Sequence, residues 1–504
     1  MFQITEQMLD EFRTRLKSRN ITVDDRGFAY RTNKLIVTAP TAAQWDQAVE
    51  RVRGEGFEIE HEFSFDETDA DPAIDVKVFT RSPDNGDVRE FLEFLRREFK
   101  HVPDLCDFEA DYCHVFFGNQ YSGSPVYLGN PVYLGNPVYL GNPVYLGNPV
   151  YLGNPVYLGN PVYLGNPLLR NGAIPVQRAP ALPEPCDCGP EKIVVLVLDT
   201  GLAREDPADP QTGVTEHEVL QGYADPHAAW VETVAKAGDE SRVDEDLKGL
   251  LRLVDEGGKP LTHICGEPIV EAEDGNLPPV DVLDRQAGHG TFIAGIIRQH
   301  APEAKVEIEG VLSSFGDGDD CDIAAGLLQA VDRLGAIDVI NLSFGGYTED
   351  GREPPILKRA INEAIENGAA VVAAAGNNNS SEKFWPAALP NVVAVGATYK
   401  GERAWFSNYG DWVDAAAPGV GVVSTFFKWK GKLKAHEFEV DGQKKRFKLD
   451  DFTNGWASWS GTSFAAPQIA AEIARRICSL GETAQEARDE VVRRFAGWPP
   501  APPD

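Results

Sequence analysis

Two hydrophobic periods alternate along this chain from Ile193 onward. Ile193 to Leu198 is a continuous apolar, β-branched run and predicts a buried strand. Ile337 to Leu342 and Ala369 to Ala374 repeat that pattern. Between and after them the spacing becomes helical, over Ile323 to Leu334 and over Ile356 to Asn367, where Gly368 is the stop signal. A further helical face carries Ile469, Ile473 and Ile477. Strands alternating with helices of this length predict an α/β fold, a doubly wound and mainly parallel sheet with helices on both faces.

The first 117 residues follow a different pattern. Strands are expected at Leu35–Thr38, Phe57–Phe65, Ile74–Phe79 and Tyr112–Phe117, with helices at Ala42–Val52 and Val88–Phe99. That order, βαββαβ, describes a small α+β module.

Residues 118–172 then hold Pro125-Val126-Tyr127-Leu128-Gly129-Asn130, repeated without a change up to Asn166. Two architectures stay open for it: a short β-solenoid, with three hexapeptides to a coil, or an extended tether in which each Pro removes a backbone donor. Residues 173–190 are a Pro-rich linker, and 191–498 form the main domain. Insertions are expected near 202–280, with a helix over Asp244 to Asp255, and near 426–451. In the second, Asp441-Gly442 between two apolar-alternating runs signals a hairpin.

Charge and cysteines narrow the setting. A net charge of −31 makes nucleic acid or an anionic membrane an unsuitable partner. Met1 to Asn20 is charged throughout, unlike a secretory signal, and no apolar run reaches membrane length, so the cytoplasm is expected. Seven scattered cysteines without a signal segment predict reduced thiols. Cys186-Asp187-Cys188 is spaced too closely for the usual zinc pair.

Three stretches carry candidate chemistry. Ser463, in Ser460-Gly461-Thr462-Ser463, opens a helical pattern in which Pro467 falls in the first turn. A hydroxyl there lies beside unpaired backbone N–H groups and a positive helix end, which suit a developing oxyanion. Asp199 ends the first buried strand, at the edge where α/β proteins place chemistry. His289 sits between Gly288 and Gly290, ahead of an apolar helix. Their chain order, Asp, His, Ser, is one of the known orders of the serine triad.

At these residues the sequence resembles the subtilisin-like serine peptidases, over roughly 191 to 480. Val339-Ile340-Asn341-Leu342-Ser343-Phe344-Gly345-Gly346, Val371-Val372-Ala373-Ala374-Ala375-Gly376-Asn377 and Ala417-Pro418-Gly419 add to the likeness. The resemblance implies a serine endopeptidase acting on protein or peptide substrates through Asp199, His289 and Ser463. It implies Asn377 as oxyanion donor, and Ser343, Phe344, Gly345, Ala374, Ala375 and Gly376 as substrate-binding. It implies no organic cofactor; the family's calcium loops find no recognisable anchor here, so no metal is assigned. An N-terminal module of this element order resembles an inhibitory pro-domain, and a partner-binding module is the competing reading. The repeat tract is expected to visit the cleft, as occupant or as cleavage site. The alternative to a regulated enzyme is a non-catalytic or precursor protein whose repeat tract is the functional part.

Overall fold

Val194–Asp199 lies inside a mainly parallel sheet. Lys305–Gly310 flanks it on one side and Val339–Leu342 on the other, followed by Ala370–Ala374, Val392–Tyr399 and Ala415–Pro418, all parallel. Val195, Leu196, Val197 and Leu198 are all fully buried. Successive strand residues point to opposite faces, so both faces of this strand are covered, which is why the run is continuously apolar rather than alternating. Helices His289–His300 and Ala466–Leu480 pack on each other, and Ile293, Ile297, Ile469 and Ile473 join one core with Val195 and Val197. Ile477 is partly buried against that core, so the face read from the sequence is the packed one.

The computed structural model describes residues 16–24, 28–41, 43–68, 71–118, 173–176, 180, 193–202, 286–313, 316–428 and 451–495, and the backbone course of 139–140, 157–158, 436–440 and 443–447. Nearly all of the expected insertion at 202–280 and its helix, most of the repeat tract, and Cys186-Asp187-Cys188 lie outside the described residues. Two compact units are distinguished. One comprises Met1–Phe116 with Gly318–Ala325 and Gly346–Asn362; the other comprises Phe117–Asp317, Gly326–Gly345 and Glu363–Asp504.

In the first unit, Ala29–Pro40 pairs antiparallel with Ile74–Thr80 on one side and Glu109–Gly118 on the other, and Glu58–Phe65 pairs with Ile74–Thr80. Helices Asp46–Arg53 and Arg89–His101 bury Ala48, Val52, Leu92, Leu95 and Phe99 against Leu35, Val37 and Phe79. The strand expected at Leu35–Thr38 runs over twelve residues, because partners on both sides extend its ladder. A short strand, Ile21–Val23, pairs with its beginning and was not foreshadowed by apolar alternation.

The hairpin expected around Asp441-Gly442 is present, with His436–Val440 antiparallel to Gln443–Phe447. In the repeat tract, Tyr139–Leu140 runs parallel to Tyr157–Leu158, three repeats further on. That register is the one a coil of three hexapeptides requires, and a fully extended tether has no such pairing. Among the described residues, the expectation of reduced thiols fails at Cys478. Cys106, Cys113 and Cys321 are free, but Cys478 is disulfide-bonded. Sequence spacing carries no record of which cysteines the fold brings together, so the pairing was not legible. Among the described residues, no helix is long and apolar enough to cross a membrane.

Candidate active site

Asp199, His289 and Ser463 arrive on three separate elements of the second unit, and all three are fully buried. Asp199 is the last residue of its strand. Its Oδ1 accepts hydrogen bonds from the Thr200 N–H and from the His289 ring, both at 2.7 Å. His289 is the first residue of its helix, preceded by Gly288 at φ 78°, the left-handed region that glycine enters without steric cost. A side chain at Gly290 would place its Cβ 2.3 Å from the Gly201 carbonyl oxygen. The Gly290 N–H donates to Thr200 Oγ1 at 3.0 Å, so the threonine side chain ties the start of the histidine helix to the end of the Asp199 strand. The flanking glycines are thus needed to bring His289 down onto Asp199.

The His289 ring is held edge-on to Trp459 at 5.6 Å between centroids and lies 5.3 Å from Phe464. Phe292 packs on Phe464 at 4.7 Å, which fixes the histidine helix against the serine turn. Ser463 lies in a single 3-10 turn, Thr462–Phe464, just before Ala466–Leu480, with Pro467 in that helix's first turn. The preceding turn is close-packed: the Gly461 N–H donates to the Gly419 carbonyl at 2.8 Å, and a Cβ at Gly419 would lie 2.9 Å from the Gly461 oxygen. The Ala417-Pro418-Gly419 landmark therefore acts by giving the serine turn room.

Asp199 and His289 are brought into hydrogen-bond contact; Ser463 is not bonded to the histidine. The Ser463 hydroxyl donates to the Ser343 carbonyl at 3.0 Å, and His289 Nε2 is buried without a hydrogen-bond partner. Hydrogen bonds of catalytic groups commonly lengthen or turn away when no substrate is bound.

Asn377 follows Ala370–Ala374 and reaches the same turn. Its Oδ1 accepts from the Thr462 N–H at 3.0 Å and from Thr462 Oγ1 at 2.9 Å, and Thr462 Oγ1 accepts in turn from the Gly376 N–H at 3.2 Å. The amide is thereby oriented with Nδ2 as its donor end, one residue from Ser463. Ala374, Ala375, Ser343 and Phe344 are fully buried. Gly345 has no space for a side chain, since a Cβ there would lie 2.3 Å from the Phe384 ring and 2.4 Å from the Trp385 carbonyl. Phe344–Gly345 is itself paired: Phe344 lies opposite Gly118 and Gly345 opposite Phe117, antiparallel. Gly118 is further held by its N–H to the Gly316 carbonyl and by Gln286 Nε2 to its own carbonyl, both at 2.8 Å.

Sequence reasoning passed over Asn408 and Thr462. Asn408 Nδ2 donates to the Ala375 carbonyl at 2.9 Å, and its Oδ1 accepts from the Asn378 and Ser380 N–H groups, so it shapes the segment that carries Asn377. Its sequence signal was a lone polar Ser407-Asn408 pair after apolar residues, which equally describes a surface turn. Among the described residues, the one group with metal-ligating donors is Cys113, Asp319, Asp320 and Cys321, in the first unit and not at this site.

Residues 191–481 match the model of the subtilase family. Among characterised proteins, the chain is 36% identical over 229 residues to the thermophilic serine proteinase of Bacillus sp. strain AK1, covering 43% of this chain and 48% of that protein. It is 34% identical over 212 residues to thermitase of Thermoactinomyces vulgaris, covering 40% of this chain and 64% of that one. The match thus spans about half to under two thirds of the length of these relatives, 48% and 64%. A solved cold-adapted subtilisin-like serine proteinase aligns over 66% of this chain at 21% identity, with a TM-score of 0.39.

Proposed function

This chain belongs to the subtilase family, and from that premise we propose that it is a serine endopeptidase that hydrolyses peptide bonds through an acyl-enzyme. Ser463 attacks the scissile carbonyl after its hydroxyl turns from Ser343 to His289 Nε2, which takes the proton. His289 returns that proton to the leaving amine. Asp199 holds the ring and stabilises its charged form. Asn377 Nδ2 and the Ser463 N–H receive the oxyanion. The observation that carries this reading is the 2.7 Å contact from His289 Nδ1 to Asp199 Oδ1, with Nε2 buried and unpartnered. A carboxylate on Nδ1 keeps the proton there and leaves Nε2 as the base. A fluorophosphonate probe should label Ser463 in the native chain, and labelling at any other residue, or none, would sink the assignment. The non-catalytic reading is not favoured, since it gives no reason for all four groups to converge on one turn.

The substrates proposed are extended protein or peptide segments, bound beside Ser343–Gly345 and Ala374–Gly376 as an added strand. The N-terminal module, in a cytoplasmic setting, is proposed to restrain this cleft, with the repeat tract as a second occupant. What supports a restraint by the chain itself is that, within the second unit, Phe117 and Gly118 pair with Gly345 and Phe344, the strand the family likeness assigns to substrate. Gly118→Val sets a side chain against the Gln286 carboxamide, 2.9 Å from the new Cβ, and should loosen that pairing. Peptide hydrolysis by the variant should rise several-fold; an unchanged rate would favour the partner-binding reading of the module.

A further inference from the structure

Cys113 and Cys321 are 208 residues apart in sequence, yet their sulfurs lie 3.3 Å apart, and both side chains are fully buried. Two carboxylates join them. Cys321 Sγ contacts Asp320 Oδ1 at 3.4 Å, while Asp320 Oδ2 is buried with no hydrogen-bond partner. Asp319, also fully buried, brings a fourth donor, and the ligand atoms of all four residues lie within 4.8 Å of one another. His114 closes the group: it is 2% exposed, and its Nδ1 lies 3.7 Å from Asp320 Oδ2 without a hydrogen-bond partner. A buried carboxylate oxygen without a hydrogen-bond partner is costly. Nothing in the proposed peptidase chemistry uses these side chains.

We infer that Cys113, Cys321, Asp320 and Asp319 form a binding site for a thiophilic divalent cation of the zinc type. Two thiolates and two carboxylates are a four-coordinate, borderline-soft donor set, which suits zinc. Calcium and magnesium take six or more oxygens and have no use for sulfur. Zinc–thiolate bonds of about 2.3 Å need the two sulfurs only slightly further apart than they stand. Arg31 at 3.0 Å and Lys34 at 3.7 Å from Asp319 offset the surplus negative charge of four anionic donors. His114 is placed to orient the Asp320 carboxylate from behind, the role outer hydrogen-bond partners play at such centres. A cavity of about 570 Å³, lined by Arg96, Asp111, His114 and Glu349 among others, reaches the histidine side of the cluster and supplies an approach. On binding, both thiols release their protons to bulk water, and no electrons change hands.

Cys113 comes from the strand Glu109–Gly118, ahead of the family-matched residues, whereas Cys321 lies inside them, in the first turn of Asp320–Leu334. All four ligands belong to the same compact unit. The cation would therefore cross-link the N-terminal module to the segment Gly318–Ala325, where a short strand passes into a helix, that the later sequence contributes to it.

The test uses the full chain carrying Ser463→Ala, reduced and free of added metal. Cobalt(II) should bind near one equivalent, with the visible bands of a tetrahedral site and a near-ultraviolet thiolate charge-transfer band, and zinc should displace it. Cys113→Ser and Cys321→Ser should each abolish the charge-transfer band, and Asp320→Asn should weaken binding at least tenfold. Should a substitution prevent folding, the unmutated cysteines serve instead. In rising urea, zinc should increase the concentration at which iodoacetamide reaches Cys113 and Cys321, while exposed Cys106 reacts throughout. No cobalt spectrum, a spectrum that survives both serine substitutions, or no zinc effect in urea would overturn the site. So would a Cys113–Cys321 disulfide in the protein as isolated. None of these readouts depends on peptidase activity.

Discussion

Ser343 and Ser463 exchange hydrogen bonds. The Ser463 hydroxyl donates to the Ser343 carbonyl at 3.0 Å, and the Ser343 hydroxyl donates to the Ser463 carbonyl at 2.9 Å. Asn341 Nδ2 donates to the Ser343 hydroxyl at 2.9 Å, so the pair is anchored in the central sheet. Ser343→Ala removes an acceptor from Asn341 and a donor from the Ser463 carbonyl, both buried. Stability should fall by about 1–3 kcal/mol. The Ser463 hydroxyl keeps its carbonyl acceptor, so probe labelling at Ser463 should persist at a reduced rate. Urea melts and labelling kinetics on one preparation check both halves.

Ser463→Ala should abolish hydrolysis and leave the melting transition within about 1 kcal/mol of the native protein, because only one hydroxyl and its single hydrogen bond are lost. Casein hydrolysis by the variant would count against the nucleophile.

Asn377→Ala should lower turnover by about 10²–10³, the magnitude established for such an oxyanion donor in subtilisin. The substrate concentration at half-maximal rate should hardly move, since the donor acts on charge that develops in the transition state. A matching loss in both parameters would point instead to collapse of the Thr462 turn that the Asn377 oxygen holds.

Gly290→Ala should prevent folding of the catalytic region rather than slow catalysis. The added Cβ meets a backbone oxygen at 2.3 Å, and backbone cannot swing aside as a side-chain end can. Expression of soluble Gly290→Ala protein with native-like melting would contradict this close approach of Gly290 to the Gly201 carbonyl.

Burial pushes the Asp414 carboxyl above its ordinary value, against the opposing pull of the Ala394 N–H and Arg488. A carboxyl raised on folding binds more protons folded than unfolded. Its contribution is therefore greatest below the unfolded pKa and is lost as pH rises through the folded one. Asp414→Asn, which can still accept from the Ala394 N–H, should flatten that part of the stability–pH curve in the Ser463→Ala background. Parallel curves for the two proteins would show that another group is responsible.

The sequence by itself determined the peptidase core. Its apolar runs could only be strands covered on both faces, because Val195 to Leu198 leave no polar side to face water. Glycines flank His289 and lead into Ser463; Gly290 and Gly419 stand where backbone comes close to backbone, while Gly288 takes a positive φ against the Phe426 and Phe427 rings. Tertiary structure alone decided the rest. Asn408 and Thr462 are ordinary polar residues until folding brings them to the segment around Asn377. Cys113 and Cys321 met across 208 positions, and Cys478 found a disulfide partner, through contacts that no local spacing encodes. Local periodicity reports which face of an element is buried, and it carries no information about what that face is buried against. The residues legible in the sequence are those whose own neighbours in the chain constrain them; those passed over take their place from partners far along it.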